Sequence, residues 1–165
     1  MKTFAPVFLA CLLAASPCAA TVRISIDLSR QRLTATRDGG ETVVWKISSG
    51  RPGYETPSGR YQVMRMEADH YSDEYDQAPM PYAIFFSPRG LAIHGSFERG
   101  LGSPRSHGCV RLAVGNAEKL FEWVEAQGAT IEIVGDTPAT KPGRERRARR
   151  RAPEPEFLQD QAYRY

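Results

Sequence analysis

Two short segments of the sequence carry side chains that could do covalent chemistry. Residues 106–111 read SHGCVR, and residues 94–96 read HGS. A free thiol titrates at about 8.5, so at neutral pH it needs a base before it becomes a good nucleophile. An imidazole within hydrogen-bond reach can take the proton and hold the thiolate as an ion pair. The pattern predicts Cys109 as nucleophile and His94 as its base.

The fourteen residues from 95 to 108 must bring this pair together. They are rich in glycine, serine and proline, which favour a loop that folds back on itself. Gly108 precedes the cysteine, and without a side chain it would let a carbonyl substrate approach the backbone. We therefore expect the Cys109 N–H to point at a developing oxyanion.

The cysteine count supports a functional thiol. Cys11 and Cys18 fall within residues 1–20, which have a charged start, an apolar run over residues 4–15 and small residues before position 21. This is the pattern of a cleaved export signal, and the apolar run is shorter than the roughly 20 residues that span a bilayer. We predict an exported protein of the periplasm or cell envelope, in which Cys109 has no disulfide partner.

Charge divides the remaining chain into two regions. Residues 21–135 carry 13 basic and 14 acidic side chains, whereas Lys141 to Arg151 holds seven basic and one acidic. We predict a catalytic domain over residues 21–135 and a basic disordered tail over residues 136–165. The tail either solubilises the protein or adheres to an anionic wall polymer or lipid surface. Nucleic acid is a poor candidate partner for an exported chain.

The domain is predicted to be mostly β with one main helix. Val22 to Leu28 alternates apolar and polar residues, as a half-buried strand does. One amphipathic helix is expected, with Asn116 as N-cap and Gly128 as the stop; its apolar face would contain Ala117, Leu120, Phe121 and Val124. Further strands are predicted over residues 42–47, 60–66, 82–87, 91–94 and 130–134.

With these motifs the chain resembles the L,D-transpeptidase family, whose catalytic domain is of the YkuD type. The resemblance extends from Val22 to about Val134 and rests on His94 and the SHGCVR segment. Residues 56–59 (TPSG) resemble the family's Thr-Pro-x-Gly turn, and residues 80–82 (MPY) resemble the segment leading into the active-site sheet. The resemblance implies a β-sandwich of mixed sheets.

The resemblance also implies a reaction and a set of roles. Cys109 would be acylated by a peptidoglycan stem peptide, with His94 as base, release D-alanine, and pass the acyl group to an amine. No cofactor and no metal are expected, and carbapenems would acylate the same thiol. The oxyanion would be supported by His107, Gly108 and Ser106, and the substrate would be bound by Arg111, Tyr82 and Gly95.

Other interpretations remain open from the sequence. Cys109 could be a buried apolar filler, or it could join His94 and His107 in binding zinc. The chain could be a non-catalytic wall-binding module, or a hydrolase of the L,D-carboxypeptidase or amidase type on the same site. Arg111 could pair within the loop instead of binding substrate. The acidic stretch at residues 67–76 could be a solvated lid or could attract the acceptor ammonium group.

Overall fold

A computed structural model of the protein describes residues 21–138. The predicted export signal and all but the first three residues of the predicted tail lie outside these residues. Within them the chain forms nine strands and one helix: β1 (Val22–Asp27), β2 (Arg32–Thr36), β3 (Thr42–Lys46), β4 (Gly59–Gln62), β5 (Arg65–Glu67), β6 (Ala83–Phe85), β7 (Ala92–Ser96), β8 (Val110–Ala113), α1 (Val114–Gln127) and β9 (Ala129–Val134).

The strands form two mixed sheets. The first has the order β3-β2-β1-β9-β4, in which β1 and β9 are parallel and the other pairs antiparallel. The second has the order β5-β6-β7-β8, in which β7 and β8 are parallel. The predicted fold class, mostly β with one main helix and mixed sheets, is confirmed.

One hydrophobic core joins the two sheets and the helix. Val22, Ile24 and Ile26 alternate inward along β1, as the sequence predicts. Each such aliphatic side chain stabilises the fold by roughly 1.5–3 kcal/mol when fully buried. The helix and the second sheet contribute further core side chains: Ala117, Leu120, Trp123, Val124, Ile84, Ile93, Val110 and Leu112. No helix within residues 21–138 is long and apolar enough to cross a membrane.

The helix boundaries correct one prediction and confirm another. The helix begins at Val114, directly after β8, and its N-cap Ala113 makes no side-chain hydrogen bond. Asn116 is therefore inside the first turn and the predicted N-cap is wrong, because the strand leads into the helix without a loop. Gly128 does end the helix, with φ 68° and its N–H donating to Val124 O at 2.7 Å.

The predicted strand over residues 60–66 is also wrong as one element. Its first part, β4, pairs with β9 in the first sheet, and its second part, β5, pairs with β6 in the second. The chain crosses between the sheets at Val63 and Met64, where the Met64 N–H donates to Phe85 O at 2.8 Å. The alternation of apolar and polar residues along a strand does not indicate where the chain passes from one sheet to the other.

The second sheet has a core face and an outer face. Ile93 of β7 and Val110 of β8 point into the core that contacts the helix. Residues of the opposite parity point outward, where Ala83, Phe85 and Ala92 form a separate small apolar cluster with Met80 and Cys109. The predicted catalytic residues Cys109 and His94 lie on this outer face.

Candidate active site

The parallel pairing of β7 and β8 brings Cys109 and His94 to one surface. His94 is paired with Arg111, and the same register places Cys109, the residue before β8, beside Ala92. Side chains two apart on a strand share a face, so His94 and Cys109 lie on the outer face as diagonal neighbours. Strand spacing and rise put their Cα atoms about 8 Å apart, within reach of an imidazole and a thiol.

The loop between these strands is held by the segment that follows β3. Ser49 O accepts hydrogen bonds from the Arg105 N–H at 2.9 Å and from the Ser106 N–H at 3.0 Å. Ile47 O accepts another from the Gly102 N–H at 2.6 Å. A parallel strand pair needs a crossover connection, and here a bonded loop provides it in place of a helix.

Ser106 fixes the turn that presents Cys109. Its side chain is buried; Oγ donates to Cys109 O at 2.6 Å and accepts from the Gly108 N–H at 3.1 Å. The Gly108 N–H is therefore already satisfied inside the turn. Ser106 lines the cavity and holds the loop, a placement compatible with its predicted supporting role.

Gly108 and Thr56 fit together behind the nucleophile. Gly108 has φ +117°, and a Cβ at this position would lie 2.9 Å from Leu91 Cδ2. Thr56, from the TPSG segment, is buried and donates through Oγ1 to Gly108 O at 2.8 Å, while it accepts from the Gly50 N–H at 2.9 Å. The threonine of this turn thus positions the backbone next to Cys109.

His94 is oriented by its own strand. The ring is buried, with Nδ1 2.7 Å from Gly95 O, and because a carbonyl only accepts, Nδ1 carries the proton and Nε2 is left as the basic nitrogen. Burial lowers the pKa of His94 to about 4, and the charge of Arg111 acts in the same direction. His94 is therefore neutral at pH 7.

Cys109 is also neutral at rest. Burial raises the pKa of its thiol, an effect that Glu74 strengthens and Arg111 opposes. Its Sγ lies 4.0 Å from Gly90 O. Both shifts favour the uncharged pair, so the thiolate–imidazolium ion pair expected from the sequence is not the favoured resting state.

The buried imidazole makes stability depend on pH. In the unfolded chain His94 binds a proton near pH 6.5, whereas in the folded protein it does so only near pH 4. The contribution of neutral His94 to the free energy of unfolding is therefore complete above pH 6.5 and is lost as the pH falls toward 4. We expect the free energy of unfolding to fall by about 3 kcal/mol from this group between pH 7 and pH 4. Urea unfolding followed by tryptophan fluorescence measures it.

The matched control is His94→Asn, which keeps a nitrogen near the Nδ1 position but cannot be protonated. Its unfolding free energy should fall by about 3 kcal/mol less than that of the wild type over the same range. Equal losses in the two proteins would show that His94 does not take up the proton on unfolding.

Arg111 pairs within the loop and also faces the cavity. Its guanidinium lies 2.8 Å from a carboxylate oxygen of Glu98, and its backbone exchanges two hydrogen bonds with Ser48. The side chain is mostly buried beside His94. Arg111 thus pairs with the loop and also places a positive charge near the thiol, while its binding of substrate stays a prediction.

His107 is held between two aromatic rings. Tyr75 stacks on it at 4.3 Å between ring centroids, and Tyr54 meets it edge-on at 4.8 Å. Burial lowers the pKa of His107, with Arg51 and Arg111 adding to the effect. A neutral His107 lines the cavity beside Cys109, where it can donate or accept a hydrogen bond but is a weaker candidate for the base.

Two predicted substrate-binding residues lie elsewhere. The Tyr82 hydroxyl donates to Glu118 of the helix at 2.7 Å and the ring packs on Phe121, away from the cavity. Gly95 is enclosed: a Cβ there would meet Pro81 Cγ and Val114 Cα, each at 3.1 Å. Neither residue lines this cavity: Tyr82 bonds to the helix, and the Gly95 carbonyl bonds to Nδ1 of His94.

A cavity of about 240 Å³ opens over Cys109 and His94. One wall is residues 68–82, here called the lid, whose two arms are joined by hydrogen bonds such as Met80 N–H to His70 O at 2.7 Å. The acidic stretch thus does form a wall of the site, and Asp73 and Glu74 line it. The basic lining side chains are Arg65, Arg89 and Arg111.

The predicted zinc alternative finds no ligand set. His107 is stacked between tyrosines and lies in a bend before β8, not on a strand with Cys109. Residues 21–138 contain no group of three His, Cys, Asp or Glu side chains placed to hold a metal ion.

Most of the chain matches one known protein family. The model of the YkuD L,D-transpeptidase catalytic domain matches residues 21–140. The chain belongs to this family, which confirms the resemblance seen in the sequence. No curated protein is significantly similar to the chain.

Solved structures share the fold. An L,D-transpeptidase from Mycobacterium smegmatis matches with TM-score 0.64 at 22% identity, over 70% of this chain and 59% of that one. One from Stackebrandtia nassauensis matches at 0.63 and 26%, over 78% and 64%. L,D-transpeptidase 3 from Mycobacterium tuberculosis, in complex with a faropenem-derived adduct, matches at 0.57 and 26%, over 70% and 61%. The chain thus spans less than two thirds of each.

Proposed function

We propose that the protein is a peptidoglycan L,D-transpeptidase in which Cys109 forms the acyl-enzyme. The observation that carries the proposal is the placement of Cys109 and His94 on one face of neighbouring parallel strands, under an open cavity. Membership of the L,D-transpeptidase family gives the reaction class. The substrate would be a tetrapeptide stem that ends in D-alanine.

The first half-reaction transfers the stem to the thiol. His94 Nε2 takes the thiol proton as Cys109 Sγ attacks the carbonyl between the L-centre of diaminopimelate and D-alanine. Because both groups are neutral at rest, this transfer accompanies attack. His94 then gives the proton to the departing D-alanine nitrogen, and a thioester remains.

Charge near the sulfur assists this step. The Arg111 guanidinium lowers the pKa of Cys109 against the larger effect of burial, so it favours the negative charge that develops on attack. We place the oxyanion near His107 and the Cys109 N–H, since the Gly108 N–H already donates to Ser106. In the second half-reaction an acceptor amine attacks the thioester, or water does in the hydrolase alternative.

Mass spectrometry of reaction products tests this function. Purified protein mixed with disaccharide tetrapeptide should release D-alanine and yield a crosslinked dimer. Trimmed tripeptide without dimers would favour the L,D-carboxypeptidase alternative. Unchanged tetrapeptide, with folded protein at high concentration, would favour the non-catalytic wall-binding module and overturn the proposal.

The same thiol is proposed to react with penem and carbapenem β-lactams. The M. tuberculosis enzyme with a faropenem-derived adduct is the relative that supports this. Opening of the β-lactam amide by Cys109 Sγ would add the whole drug mass to the protein. Intact mass after incubation with faropenem or imipenem, compared with Cys109→Ala, measures it.

We further propose that the protein acts in the cell envelope, where peptidoglycan is found. Residues 1–20 carry the export pattern. Sequencing the N-terminus of the protein from the periplasmic fraction should find Thr21 first. An uncleaved protein confined to the cytosolic fraction would contradict this placement.

The basic segment Lys141 to Arg151 is proposed to bind anionic wall polymer or lipid. Salt screens the attraction of its seven basic side chains to anionic surfaces beyond about 8 Å at physiological ionic strength. The full chain should therefore sediment with sacculi or anionic vesicles at low salt and detach as salt rises. A variant with these seven residues changed to glutamine should sediment little, yet turn over soluble tetrapeptide normally. Equal, salt-insensitive sedimentation would mean that the segment only solubilises the protein.

A further inference from the structure

A second imidazole lines the same cavity as His94. His70 belongs to the lid, and its Nδ1 is 2.6 Å from Oε2 of Glu67, the last residue of β5. The other carboxylate oxygen of Glu67 pairs with Arg65. Glu67 and His70 therefore form a bonded carboxylate–histidine pair, here called the lid dyad, which the reaction above does not use.

Strand pairing places the lid dyad on the same outer face of the second sheet as Cys109. Glu67 is paired with Ala83 of β6, and the β6–β7 register continues from Ala83 to His94. The His70 ring stands edge-on over Phe85 with 5.0 Å between centroids, and Phe85 is paired with Ala92. His70 and Cys109 both line the cavity, about two strand spacings apart, or roughly 10 Å.

The free nitrogen of His70 is suited to proton transfer. A carboxylate only accepts, so in the neutral ring Nδ1 carries the proton and Nε2 holds the lone pair. Among residues 21–138, Nε2 makes no hydrogen bond to the protein. The ring is mostly buried, and the backbone of His70 is fixed by the Met80 N–H, so the nitrogen is held in place at the base of the lid.

The second half-reaction requires a base that the first does not. An acceptor amine arrives as an ammonium ion, which has no lone pair until it loses a proton. Conversion of an ammonium ion into an amide nitrogen releases two protons, and His94 can accept only one of them. His94 is also needed to return a proton to the departing Cys109 sulfur.

We propose that His70, supported by Glu67, deprotonates the acceptor ammonium group and so acts as a second catalytic base. The inference rests on the proposed transpeptidase function. His70 Nε2 takes one proton from R–NH₃⁺, and Glu67 compensates the charge that the ring gains. The amine nitrogen then attacks the thioester carbon, the C–S bond breaks, and the second amine proton passes through His94 to Cys109. His70 releases its proton to solvent.

The test compares two nucleophiles on one thioester. Acyl-enzyme is formed from tetrapeptide, and the D-alanine released is counted before acceptor is added. D-methionine arrives as an ammonium ion, whereas hydroxylamine is already unprotonated at neutral pH and needs no base. We expect His70→Gln to lower transfer to D-methionine about 10²-fold and transfer to hydroxylamine very little, with the D-alanine yield unchanged.

Two further variants sharpen the result. Glu67→Gln keeps an acceptor for Nδ1 but removes the charge, so it should also lower transfer to D-methionine more than transfer to hydroxylamine. Asp69→Asn removes an exposed lid charge outside the dyad and should change neither. Equal losses with both nucleophiles, or no loss in His70→Gln, would overturn the inference. Absence of D-alanine release from wild type would instead refute the proposed function.

Discussion

Cys109→Ala should reduce D-alanine release from tetrapeptide to below about one-thousandth of the wild-type rate. No other thiol is present within residues 21–138 to replace it. The variant should still fold, because the thiol is only partly buried and its contact with Gly90 O is long, 4.0 Å. Chromatography of released D-alanine, with circular dichroism to verify folding, measures both outcomes.

Cys109→Ser is the matched control that preserves the size and shape of the cysteine side chain. It keeps a small polar side chain, but a hydroxyl is far harder to ionise than a thiol, so it should be nearly as inactive. Turnover by Cys109→Ala above a few per cent of wild type would show that the nucleophile lies elsewhere.

His94→Ala should slow acylation by roughly two to four orders of magnitude, the usual range for loss of a general base. The neutral thiol would then lack a partner to take its proton as it attacks. Stopped-flow acylation by a β-lactam, followed by loss of drug absorbance, measures this step without the acceptor. His94→Asn should be similarly slow while it preserves a hydrogen-bond donor to Gly95 O.

His107→Ala supplies the comparison for the base. His107 is held between Tyr54 and Tyr75, and its proposed role is only to support the oxyanion. We expect a smaller loss than for His94→Ala. A larger loss in His107→Ala than in His94→Ala would exchange the roles assigned to the two imidazoles.

The family and much of the fold were predictable from the sequence, whereas the catalytic roles of Cys109 and His94 stay predictions. Alternation along Val22 to Leu28 indicated a half-buried strand, and Gly128 marked the helix end. The two motifs that contain His94 and Cys109 were sufficient to identify the family to which the chain belongs. The strands β2 and β8 were not predicted.

The remaining errors have a common physical cause in contacts distant along the chain. The break between β4 and β5 follows from pairing with two different sheets, which local patterns do not encode. Tyr82 lies outside the cavity because its hydroxyl donates to Glu118, 36 residues away. The role of Thr56 depends on a bond to Gly108 across 52 residues. The lid dyad had a local signal, since Glu67 and His70 are three residues apart, but its place in the cavity depends on sheet pairing.

Intact mass spectrometry of the protein, quenched within its first turnovers on tetrapeptide, is the sharpest test of Cys109 as the acylated nucleophile. We expect a species heavier by the mass of the tetrapeptide less D-alanine, with the addition on the peptide that contains Cys109. The Cys109→Ala protein should show no such species. Product formation by the wild type with no adduct at any quench time, or an adduct on another residue, would contradict the assignment.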